Sequence, residues 1–181
     1  AIICYHGGND GIIRALFPPC VGFDRHHISH KAKKALMEKI VVTSHFHAGH
    51  RQLKFPGKCK YVHGHTWRGK ITITCEQFPR DEIDMSLEFG ELKQIMRNLD
   101  HKIMITEDDK TFLDEKLFEP EGVVLLKGRG PSVENVAHHV YGGVVQHIQE
   151  RFPGQQIEYH ITVDIQETDN NFFSVEKKVT V

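Results

Sequence analysis

The chain has 181 residues, enough for one domain with a core of its own. Its 23 lysines and arginines balance 24 aspartates and glutamates and are evenly mixed among them, which speaks against a nucleic-acid or anionic-membrane surface. No apolar run approaches the roughly 20 residues of a membrane-crossing helix, and the first residues do not read as a signal peptide. Cys4, Cys20, Cys59 and Cys75 form neither Cys-x-x-Cys pairs nor a disulfide framework, so a reducing, cytoplasmic setting is expected.

Residues 1–36 read as a poorly defined N-terminal extension. Gly7, Gly8, Gly11, Pro18-Pro19 and the group His26, His27 and His30 keep no sustained period, and a short helix is expected near Lys31 to Glu38. The three histidines there read as a solvated cluster rather than a metal site. The domain proper is assigned to residues 37–181.

Ile40-Val41-Val42-Thr43-Ser44 is a β-branched run, so a strand is expected to end among His45, His47 and His50. Pro56-Gly57 turns the chain back, and a second strand runs from His63 to about Cys75, antiparallel to the first. Side chains alternate along a strand, so His63, His65, Trp67, Ile71 and Ile73 share one face. Two imidazoles on an otherwise apolar face suggest a metal pair. Alternation alone does not choose among His45, His47 and His50 for a third ligand.

Leu92, Ile95, Met96 and Leu99 recur at helical spacing, with Ser86 as the expected cap, and this helix ends at Leu99-Asp100-His101-Lys102. A mixed acidic segment follows, with one helical turn expected around Phe112 to Leu117 and a short strand or extended connection at Val123 to Leu126. Pro131-Ser132 opens a second helix carrying Val133, Val136, Val140, Val144 and Ile148 on one face, and Pro153-Gly154 stops it. Ile157, Tyr159, Ile161, Val163 and Ile165 then alternate with polar residues, and Asp169-Asn170-Asn171 turns the chain into a last strand, Phe172 to Val181. The expected fold is α+β, a four-stranded antiparallel sheet with two helices on one face, in the order β-β-α-α-β-β.

Continuing the apolar face of the third strand past Ile165 reaches Glu167. A carboxylate at the end of a buried face needs a partner. Either an arginine or a ligand edge with two adjacent N–H donors would serve.

His50-Arg51, Cys59-x-x-x-His63-Gly64-His65, Leu99-Asp100-His101, Pro131-Ser132-Val133-Glu134-Asn135 and Glu167-Thr168 fall in an order that resembles the 6-pyruvoyl-tetrahydropterin synthase family, with its 6-carboxytetrahydropterin synthase branch of queuosine biosynthesis. The resemblance covers roughly Lys39 to the C-terminus. It implies a tunnelling fold, a homohexamer of two stacked trimers with sites at subunit interfaces, and the small-molecule substrate 7,8-dihydroneopterin triphosphate. It further implies Zn2+ held by His50, His63 and His65, with Cys59 as catalytic base and Asp100 with His101 as a proton relay. By the same resemblance Glu167, assisted by Thr168, anchors the pterin edge. Arg51, Lys54, Lys58 and Lys60 are basic candidates for the triphosphate, and Glu134 is read as a first-turn charge.

Glu88 stands where the family is expected to carry aspartate. The three-residue gap between Cys59 and His63 resembles the queuosine branch, so 6-carboxytetrahydropterin with acetaldehyde and triphosphate is the expected outcome, ahead of 6-pyruvoyl-tetrahydropterin. A cupin-like oxygenase is disfavoured because no glutamate follows His65 before Glu76. A zinc- or pterin-binding protein without activity would not need Cys59, Asp100 and His101.

Overall fold

The strict alternation seen in the sequence becomes a two-layer domain in the computed structural model, which describes residues 36–181. The elements in chain order are β1 (Glu38–His50), β2 (His63–Cys75), α1 (Phe89–Arg97), β3 (Lys102–Ile105), β4 (Val123–Leu125), α2 (Val133–Arg151), β5 (Glu158–Thr168) and β6 (Asn171–Thr180). Short 3-10 turns at Lys58–Lys60, Lys110–Leu113 and Pro120–Gly122 punctuate the loops. The expectations for residues 1–35 lie outside the described residues; Glu38, the last residue of the helix expected there, instead opens β1.

The sheet has six strands in the order β4-β3-β1-β2-β5-β6, which corrects the four-stranded expectation and gives β-β-α-β-β-α-β-β along the chain. The four long strands pair antiparallel as expected. The two additional ones run parallel, β3 beside the end of β1 and β4 beside β3. At four and three residues they are too short to show a period, and only their pairing, β3 with β1 and β4 with β3, defines them. His101 enters β3 with φ 56°, a left-handed conformation that turns the chain sharply out of α1.

One face of the sheet is apolar and takes both helices. Val42 and Phe46 of β1, Ile71 and Ile73 of β2, and Tyr159, Ile161, Val163 and Ile165 of β5 meet Leu92 and Met96 of α1 and Val136, Val140, Val144 and Ile148 of α2 in one core. Gly69 lies where α1 crosses β2; a Cβ there would collide with the Met96 sulfur and with Ile165, so glycine sets how closely the helix approaches. The cap of α1 is Glu88, without a side-chain hydrogen bond, rather than the expected Ser86. Ser132 caps α2 as expected, its hydroxyl facing the Asn135 N–H. Among the described residues no helix is long and apolar enough to cross a membrane.

Candidate metal centre

β1 does not stop before the histidines; it runs through them to His50. The inward parity set by Val42, Phe46 and Ala48 therefore carries on to His50, while His45 and His47 face the other way. In the β1–β2 register His50 stands directly opposite His63, and His65 stands opposite Ala48, whose methyl leaves room for the ring. The three imidazoles converge with ring centroids 4.5 Å (His50–His63), 5.0 Å (His63–His65) and 5.2 Å (His50–His65) apart. One ring nitrogen from each lies within 4.8 Å of the others.

Trp67 forms the floor. It is fully buried, stacks on Phe46 at 5.9 Å and donates its indole N–H to the Ala48 carbonyl at 3.1 Å. The rings of His50 and His65 meet it edge-on at 5.1 and 5.5 Å. Burial of this kind holds the imidazoles rigidly and disfavours their charged forms. Burial pushes His50 down to about 4, against the help of the Pro131 carbonyl, and pushes His65 down as well. His50 is therefore neutral near pH 7.

Two of the rings are oriented by backbone. His50 Nδ1 donates to the Pro131 carbonyl at 2.7 Å and His63 Nδ1 to the Tyr61 carbonyl at 2.8 Å, and in the neutral His50 ring this leaves Nε2 as a lone pair. His50 Nε2 is buried and has no hydrogen-bond partner. A buried acceptor without a donor, facing two further imidazoles, fits a divalent cation.

The Pro131 carbonyl is itself held. Asn135 Nδ2 donates to the Gly130 carbonyl at 2.6 Å, and Gly128 at φ 113° lets the loop wrap the Asn135 amide, where a Cβ would collide with it. The Pro131-Ser132-x-x-Asn135 pattern was legible as a helix start, but nothing in it announced that its loop orients a histidine of β1.

Glu167 also reaches the group. β5 pairs with β6 through a register shift between Gln166 and Thr168, which leaves Glu167 as the extra residue, and its Oε1 lies 3.5 Å from His50 Nε2 and 4.0 Å from His65 Nε2. Thr168 closes the hairpin against Asn171.

The other sequence-predicted residues stand apart from the three imidazoles. Cys59 is exposed on the 3-10 turn of the loop joining the two histidine-bearing strand ends, and its carbonyl accepts from the Gln52 N–H at 2.7 Å to close that loop. Asp100 and His101 are fastened to β1 at His47. The Asp100 carboxylate accepts from the His47 N–H at 2.6 Å and pairs with His101 Nδ1 at 2.9 Å, while the His101 N–H donates to the His47 carbonyl at 2.7 Å. The His47 N–H, with His101, holds the Asp100 carboxyl below the usual range. The His101 side chain is 81% exposed, near His47 on the face away from His50. Arg51 is committed elsewhere, in a two-pronged pair with buried Asp109 at 2.6 Å and over the Phe112 ring. Lys54 pairs with Asp108.

Comparison with known proteins places this geometry. A family model described as 6-pyruvoyl tetrahydropterin synthase matches residues 39–178. The 6-carboxy-5,6,7,8-tetrahydropterin synthase of Rickettsia bellii is 31% identical over 137 residues, covering 72% of this chain and 94% of that protein. The protein of the same name from Rickettsia typhi is 30% identical over 139 residues, with the same coverage. Among solved structures, the 6-pyruvoyl tetrahydropterin synthase of Plasmodium falciparum superposes with a TM-score of 0.56 at 15% identity, over 80% of this chain and 99% of that one. An uncharacterized protein from Wolinella succinogenes gives 0.57 at 18% identity, over 78% and 99%. These likenesses establish a shared fold. Since the matched segment runs from β1 into β6 and contains all three converging histidines, the chain belongs to the 6-pyruvoyl tetrahydropterin synthase family, a family of pterin synthases.

Proposed function

We propose that the chain is a zinc-dependent synthase that converts 7,8-dihydroneopterin triphosphate to 6-carboxy-5,6,7,8-tetrahydropterin, acetaldehyde and triphosphate. The observation that carries this reading is the group of three converging imidazoles, two of them oriented by backbone carbonyls, in a chain of this family. The short gap between Cys59 and His63, and the names of the Rickettsia relatives, favour the carboxy product.

His50, His63 and His65 would hold the metal. A zinc ion there supplies Lewis acidity, lowering the pKa of side-chain hydroxyls and polarising a developing carbonyl. Cys59, on the turn between Lys58 and Lys60, would take a side-chain proton. His101, oriented by Asp100 through Nδ1, would serve as the second acid–base group. Glu167 would accept the two N–H donors of the 2-amino-pyrimidine edge, with Thr168 beside it. With Arg51 held by Asp109 and Lys54 by Asp108, Lys58 and Lys60 are the better partners for the triphosphate.

A homohexamer of two stacked trimers completes the reading. β3 covers β1 only along Ala48–His50, so the Glu38–His47 edge is open, and β6 ends the sheet at the opposite side. Two open edges on one sheet call for pairing partners. Exposed Cys59 and His101 are what a site completed by a second copy requires. The catalytic domain is residues 37–181, and a reducing cytoplasmic setting suits the free thiol.

Atom balance supplies the test. Loss of triphosphate alone gives the pyruvoyl product, whereas the carboxy product and acetaldehyde require one water. Incubation of the purified protein with 7,8-dihydroneopterin triphosphate should release acetaldehyde in step with triphosphate. Triphosphate without acetaldehyde would assign the pyruvoyl product, and release of neither would defeat the synthase reading. Light scattering at micromolar concentration should give a hexamer; a monomer would remove the shared-site arrangement.

A further inference from the structure

Glu167 stands closer to the imidazoles than a residue reserved for a distant heterocycle edge needs to be. It continues the inward face of β5 past Ile165 and is the extra residue of the β5 bulge, a device found beside functional sites. There its Oε1 faces His50 Nε2 at 3.5 Å and His65 Nε2 at 4.0 Å.

Because Nδ1 of His50 is spent on the Pro131 carbonyl, the neutral ring presents a lone pair, and a carboxylate oxygen and a ring lone pair repel unless a cation sits between them. A metal ion held by the three rings would lie between the His50 and Glu167 donors and satisfy that pair. Neighbouring donors on a tetrahedral zinc with bonds of roughly 2.0–2.1 Å stand roughly 3.3–3.4 Å apart, close to the His50–Glu167 separation.

We propose that Glu167 is the fourth metal ligand of the substrate-free enzyme and that the incoming pterin draws it off the metal. This rests on the metal-centre reading above and deepens it. The resting centre is closed by a carboxylate and opens only when a heterocycle carrying adjacent N–H donors competes for that same carboxylate. Recognition of the ring and exposure of the metal become one event, so a compound with suitable hydroxyls but no such edge meets a closed site.

Co2+ is the probe, because four-coordinate Co2+ absorbs visible light far more strongly than five- or six-coordinate Co2+. Metal-depleted full-length protein titrated with Co2+ should give the intense four-coordinate spectrum without substrate. Glu167→Gln should give a spectrum shifted from wild type, as water takes the place of the carboxylate, and bind Co2+ at least about tenfold more weakly. Glu167→Ala should behave likewise, and added acetate should return the wild-type spectrum, which a collapsed site could not do. 7,8-Dihydropterin, which has the 2-amino edge and no side-chain hydroxyls, should convert the wild-type spectrum towards that of Glu167→Gln and leave the variant unchanged. A wild-type spectrum in either variant, or a Glu167→Ala protein that binds Co2+ but ignores acetate, overturns the proposal and leaves the metal centre standing. Failure of the wild-type protein to bind Co2+ brings down both.

Discussion

His50 Nδ1 donates to the Pro131 carbonyl oxygen at 2.7 Å although the two residues are 81 apart in sequence, so the end of β1 is tuned from the start of α2. Asn135 secures that carbonyl through Gly130. Asn135→Ala is therefore expected to weaken zinc binding by about tenfold, the low end of what outer-shell partners contribute, while the helix signal in circular dichroism stays unchanged. Competition with a fluorescent zinc chelator reads this directly; wild-type affinity in the variant would show that the loop needs no clamp.

Cys59 lies outside the group of metal-competent donors. Cys59→Ala should retain full zinc content and lose about 10²–10⁴-fold in turnover, the range expected for a general base. Elemental analysis beside a triphosphate-release assay separates the two properties. Loss of zinc would make the thiol a ligand, and undiminished turnover would remove it from the chemistry.

Arg51 and Lys54 are both paired but differ in what they stabilise. The Asp109 side chain is 5% exposed, and Arg51 is its two-pronged partner, whereas Lys54 is 73% exposed beside Asp108. Arg51→Gln would leave a buried carboxylate without its cation and should cost about 3 kcal/mol in denaturant unfolding. Lys54→Gln should stay within about 0.5 kcal/mol of wild type. Equal effects would mean that Asp109 finds water or another donor.

Asp81 ties the loop before α1 to the end of α2. Its carboxylate accepts from the Ile83 and Met85 N–H groups and pairs with Arg151 at 2.9 Å, and these contacts, the Met85 N–H foremost, hold its pKa below the usual aspartate range. The unfolded chain therefore takes up this proton first as pH falls. Stability from Asp81 is whole above the ordinary aspartate value and is lost as pH drops through it towards the lower folded value. Asp81→Asn should be less stable at neutral pH and should show a flatter acid limb in thermal melts. An acid limb parallel to that of wild type would contradict the assignment.

The long elements were legible because each carries several periods of its own pattern. Ile157 to Ile165 alternates over most of β5, and Leu92, Met96 and Leu99 mark α1. β3 and β4 were not, since Lys102–Ile105 and Val123–Leu125 complete barely two alternations and are defined only by pairing with β1 and with β3 respectively. Ser86 has the chemistry of a cap, but its hydroxyl is buried without a partner and the helix begins later, at Phe89. Within the site, parity placed His63, His65 and Glu167 on the inner face. It would also have separated His50 from His45 and His47 had β1 been carried far enough. The Pro131 and Tyr61 carbonyls had no signature, because every residue has a carbonyl and only the fold decides which one an imidazole meets.

Trp67 is the only tryptophan in the chain, and it touches two of the three proposed ligands. Indole fluorescence from this protein thus arises from one buried position beneath the histidines. A filled metal site, a protonated imidazole and a departing Glu167 each change the field at that ring, so unlabelled protein carries its own optical reporter of the site in stopped-flow experiments. The same ring that gives the histidines a rigid floor makes the order of metal loading and pterin entry a matter of watching emission over time.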